Sequence, residues 1–107
     1  MSEPSDVPIP YRVVYSGRVR DALRELVARA RESGHGPEVL AAAKEIDRRL
    51  RVYPQFGEPL VDLKQESGQV RVGTVPPLVV RYAVYEERRL VTVAVPILPM
   101  PGSGLVL

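Results

Sequence analysis

Between Leu60 and Val95 the chain gathers Val, Tyr and Thr into three runs, LVDLKQ, QVRVGTV and LVVRYAVYEERRLVTVAV. Such runs, punctuated by Ser67-Gly68, Pro76-Pro77 and Glu87-Arg88, predict antiparallel strands joined by tight connections. Everything outside this stretch has to cover or flank a sheet.

The alternation also predicts a register. With Glu87-Arg88 as a two-residue hairpin loop, Val84 faces Val91, Tyr82 faces Val93 and Val80 faces Val95 on one apolar side. Arg81, Ala83, Tyr85, Leu90, Thr92 and Ala94 then share the other side, and a one-residue slip would mix the two sets. Around Pro76-Pro77 the same criterion favours a three-residue loop, Val75 to Pro77, because an even loop would bury Arg71. That choice sends Val70 and Val72 to the core and sets Arg71 opposite Arg81. A Ser67-Gly68 turn places Leu63 opposite Val72 and Lys64 opposite Arg71. Lys64, Arg71 and Arg81 are thereby expected in one row on the open face.

Upstream, Met1 to Pro10 read as a frayed lead-in and Tyr11 to Tyr15 as a short edge strand with both tyrosines and Val13 on one face. Ser16 suits an N-cap, after which Val19, Ala22, Leu23, Leu26, Val27 and Ala30 recur at helical spacing. The opposite face alternates arginines with acids, with Glu25 four residues before Arg29. Ser33 to Gly36 ends that helix. Pro37 opens a second, with an apolar stripe of Val39, Ala42, Ala43, Ile46, Leu50 and Tyr53, which Tyr53-Pro54 stops. Beyond Val95, Pro96, Pro99 and Pro101 predict the end of sheet pairing. The plan is α+β: a strand, a two-helix hairpin, then a three-stranded antiparallel sheet packed on the helices, in one domain spanning 1–107 with flexible ends at about 1–10 and 97–107.

The 107 residues suffice for one ordinary core, and a net charge of +2 excludes a strongly polycationic surface. The absence of cysteine excludes disulfides and thiolate metal sites. Neither a transmembrane-length apolar run nor a signal-peptide pattern occurs, so no membrane association and a cytoplasmic location are expected. No metal-ligand cluster, phosphate-binding glycine loop or nucleophile-base pair is found, and no cofactor is expected. The lone His35 reads as a connection residue, and Glu86-Glu87 as turn solubilisers.

YRVVYSGRVRDALREL as first strand and helix start, a second helix closed by RVYPQFGEPL, and the hairpin VVRYAVYEERRLVTVAV together resemble the RelE/ParE toxin superfamily of bacterial type II toxin–antitoxin systems, which includes plasmid stabilisation proteins. The resemblance covers Tyr11 to about Val95. It implies a metal-independent, ribosome-associated messenger RNA endoribonuclease in which Lys64, Arg71 and Arg81 act as catalytic cations polarising the phosphate. It also implies a small acidic antitoxin as partner. The tail PILPMPGSGLVL has no His, Tyr, Arg or Lys where the family usually places a final acid or base, which implies weak or lost activity. A non-catalytic member of the fold, either a gyrase-directed toxin of the ParE kind or an interaction module, is the alternative. A free sheet edge and the apolar Leu105-Val106-Leu107 end add the expectation of a homodimer through the edge or tail.

Overall fold

The computed structural model describes residues 9–63 and 67–103. The elements run β1 (Arg12–Tyr15), α1 (Gly17–Glu32), α2 (Gly36–Val52), a 3₁₀ turn (Pro54–Phe56), β2 (Glu58–Leu63), β3 (Gly68–Val75), β4 (Leu78–Tyr85), β5 (Leu90–Val93) and β6 (Leu98–Pro99). The fold is α+β, and the sheet is mixed. Its order is β1-β5-β4-β3-β2, with β1 parallel to β5, the other neighbours antiparallel, and β6 paired to β4. The third run folds back on itself through the expected hairpin and so supplies two strands, β4 and β5, and β1 joins the far side of β5 as an edge strand.

Both helices begin where local chemistry directs. The Ser16 hydroxyl accepts from the Val19 N–H (3.2 Å), meeting one of the donors an N-terminus leaves open. Gly34 takes φ 83° just past α1, a conformation with no steric penalty for glycine, and Pro37 sits in the first turn of α2. Val19, Leu26 and Ala30 of α1 and Val39, Ala42, Ile46 and Leu50 of α2 are buried in one cluster with Leu78, Val80, Tyr82, Val84, Val91 and Val93 of the sheet. Tyr53, assigned by its spacing to the α2 stripe, instead lies 59% exposed, because the helix ends at Val52 and the chain turns away.

The β4–β5 register is the expected one, with Val84 opposite Val91. Only the turn is longer: residues 86–89 lie between the last paired residues, Tyr85 and Leu90, and Arg89 closes the turn at φ 46° with its N–H donating to the Glu86 carbonyl (3.1 Å). The other two connections depart from expectation. Val75 pairs with Leu78 across a two-residue Pro76-Pro77 loop whose peptide bond is cis, so Arg71 stands opposite Tyr82 and Val72 opposite Arg81. One residue of loop length has exchanged the faces of β3. Leu63 pairs with Gly68 instead of Val72, and a bulge between Pro59 and Val61 shifts the start of β2.

The exchange is tolerated because Gly73, now on the helix side, leaves room for the Phe56 ring, which stacks on Tyr82 with centroids 5.7 Å apart. Tyr82 is buried and satisfied at both ends of its hydroxyl, donating to the Pro54 carbonyl (2.6 Å) and accepting from the Gly57 N–H (3.0 Å). The tail also differs from its reading. Ile97 is buried in the core and Leu98–Pro99 pairs with Val79 and Leu78, while the Met100 N–H donates to the Pro77 carbonyl (2.8 Å). Leu105-Val106-Leu107 lies outside the described residues.

Candidate functional site

The three expected cations do not form a row. Arg71 leaves β3 on the helix side and Arg81 leaves β4 on the open side, so the two point away from each other across the sheet. Lys64 lies outside the described residues. The Arg71 guanidinium donates to the Gln69 side-chain oxygen (2.7 Å) and the Gln55 carbonyl (3.3 Å), while its Nε is buried without a partner. It lines a polar recess of about 580 Å³ together with Asp62, Glu86 and Glu87. Three carboxylates around one guanidinium disfavour a phosphate there. Nor do any three His, Asp or Glu side chains among the described residues converge to hold a metal ion.

A different surface gathers cations. α1 and α2 splay outward into a groove of about 720 Å³ whose floor is Val19, Leu23, Val27, Leu40 and Ala43. Its walls carry Arg20, Arg24 and Arg31 from α1 and Lys44 from α2, against one lining carboxylate, Asp47. Leu23 and Val27, placed by periodicity with the core, are only partly buried because they also form this floor.

Two features leave the α1 cations available. On α2, Glu45 binds Arg48 (2.7 Å) and Arg49 (2.8 Å), and their hydrogen bonds hold its carboxyl down to about 2; Asp47 takes Arg51 at 2.8 Å. On α1, among the described residues, ion pairing reduces to Arg24 with Asp21 at 3.4 Å, both highly exposed. The Glu25–Arg29 spacing yields no such pair. Arginines and acids interleave on the outer faces of both helices, yet α2 closes three ion pairs between arginines and acids where α1 closes one.

Tyr15 and Asp47 close one end of the groove. The Tyr15 hydroxyl donates to Asp47 Oδ1 (2.6 Å), and burial together with this bond pushes the hydroxyl well above the ordinary tyrosine range. Burial alone would raise the Asp47 carboxyl, yet hydrogen bonds from Arg51 and Tyr15 outweigh it and hold the group below its usual value. The sole acid of the groove is thus already engaged.

A tyrosine whose folded pKa is raised contributes stability that is fully present below the unfolded value of about 10 and is lost as pH rises beyond it. Urea midpoints measured from about pH 9 to about pH 11.5 should therefore fall with rising pH, and less steeply in Tyr15→Phe. Equal slopes in the two proteins would contradict the partly buried Tyr15–Asp47 bond.

Compared with protein-family models, with curated proteins and with solved structures, the chain matches none. No helix among the described residues is long and apolar enough to cross a membrane.

Proposed function

We propose that this chain is a non-catalytic, protein-binding member of the RelE/ParE-like toxins, and that its α1–α2 groove takes an acidic amphipathic helix from a small antitoxin-like partner. The order of strand, helical hairpin and antiparallel strands supports the fold assignment. The groove carries the functional reading: an apolar floor between two helices suits the apolar face of a third, and four cations facing one engaged carboxylate favour acids flanking that face. Phosphate recognition alone would have no use for the apolar floor. The ribonuclease reading needs its cations to converge on a single phosphate, and Arg71 and Arg81 diverge.

Calorimetric titration tests this with two synthetic helices sharing one Leu/Ala face, one flanked by Glu and one by Lys. The acidic helix should bind, with affinity falling as salt rises from about 50 to about 500 mM, and the basic one should not. Equal binding of both, or of neither, would overturn the proposal. Ribosome-dependent cleavage of messenger RNA that is lost in Arg71→Ala would support the enzyme instead.

A further inference from the structure

The helices cover one side of the sheet; the strand registers define what lies on the other. Val61, Val70, Ala83, Thr92 and Val14 form one unbroken row across β2, β3, β4, β5 and β1, with Leu63, Gly68, Tyr85, Leu90 and Arg12 in the next row and Glu58, Val72 and Arg81 in the row on its other side. Val61 is 54% exposed and Val14 43%. Arg12 marks the β1 margin and the Arg88 guanidinium lies 5.9 Å over the Tyr85 ring, but in these rows β2, β3 and β4 contribute only Glu58 and Arg81 as charges. A one-sided sheet normally turns polar residues to water, so among the described residues this part of the face lacks a cover.

We propose that the cover is a second copy of this chain, packed face to face about a two-fold axis that runs parallel to the strands above β3. Such an axis exchanges β2 with β4 and keeps each residue's position along the strand. Glu58 and Arg81 share the row of Val72, one strand to either side of it, and both are exposed. The rotation therefore sets Glu58 of each copy over Arg81 of the other, giving two symmetric ion pairs. Val61 falls over Ala83 and Leu63 over Tyr85, while Val70 and Val72 meet their own counterparts. An axis above β4 would instead oppose Arg81 to itself.

Pairing through an edge, the other route to a dimer, is hindered at both margins. β2 carries Pro59 and the bulge beside it, and β1 is four residues long. Three opposed strands about 4.8 Å apart, with three rows about 7 Å apart, give roughly 300 Å² per copy, smaller than a standard interface, so the dimer is a weak one and no tighter than about micromolar.

Sedimentation equilibrium on the full chain is the test, with circular dichroism to verify that each variant is folded. The native chain should dimerise with a micromolar Kd. Arg81→Glu and Glu58→Arg should each weaken association by about tenfold or more, since the symmetry doubles each new like-charge contact. The combined Arg81→Glu/Glu58→Arg protein should regain the native Kd to within about threefold. Val61→Asp, in the central apolar row, should abolish the dimer. A monomeric native chain, a dimer indifferent to Val61→Asp, or a charge swap that fails to restore association would each overturn the proposal.

Discussion

Ile46→Ala is expected to lower stability by about 2–5 kcal/mol, the usual range for emptying a fully buried branched side chain. Ile46 lies in the middle of α2 with no exposed surface, in the cluster that joins both helices to β4 and β5. The cluster it belongs to draws its side chains from two helices and the sheet, which limits collapse into the space. Total stability in domains of this size is about 5–15 kcal/mol, so the change removes a large share of it. The urea midpoint should drop accordingly with an unchanged slope. Leu40→Ala, at a partly exposed groove position, should cost much less. An unmoved midpoint for Ile46→Ala would mean that α2 does not pack as described.

Reversing two charges on the α1 wall should have the largest effect on binding. Arg20→Glu combined with Arg24→Glu replaces attraction by repulsion at two points beside an acidic helix. At roughly tenfold for each site, affinity should fall by about 100-fold, with most of its salt dependence lost. Arg48→Glu is the control: Arg48 is already bound to Glu45 on the outer surface of α2 and is not part of the groove. Fluorescence anisotropy with a labelled acidic helix reads both variants. Equal losses in the two would indicate a diffuse response to net charge.

Much of this fold could be read from local pattern. Ser16, Gly34, Pro37 and Pro54 mark the helix limits through backbone chemistry that acts within a few residues, and strict alternation along β4 and β5 against a wholly apolar face leaves one register. β3 was misread for a physical reason. The choice of loop length assumed that the helix side is dry along its whole length, whereas helical cover ends at Val52, and Arg71 at that margin reaches polar partners in Gln69 and Gln55. Gly73 was a signal within the strand, but the Phe56 ring it accommodates lies seventeen residues away in a turn no periodicity describes. Prolines 96, 99 and 101 suggested an end to pairing, yet proline lacks only the donor, and β6 forms where a neighbouring N–H supplies it.

The candidate site was harder to read because sequence spacing does not decide which ion pairs form. Glu25–Arg29 and Asp47–Arg51 have the same four-residue offset. Only Asp47 is fixed in place by a second bond, from Tyr15, and only that pair closes. The groove cations become visible once tertiary contacts have sorted engaged arginines from available ones.

Where the acidic helix docks is the central claim, and nuclear magnetic resonance shift mapping during its titration tests it most directly. The account predicts saturable shifts at Val19, Leu23, Val27, Leu40 and Ala43, with Val61, Val70 and Ala83 on the opposite sheet face unmoved. Shifts centred on the sheet face or on the Arg71 recess, with the groove silent, would contradict it.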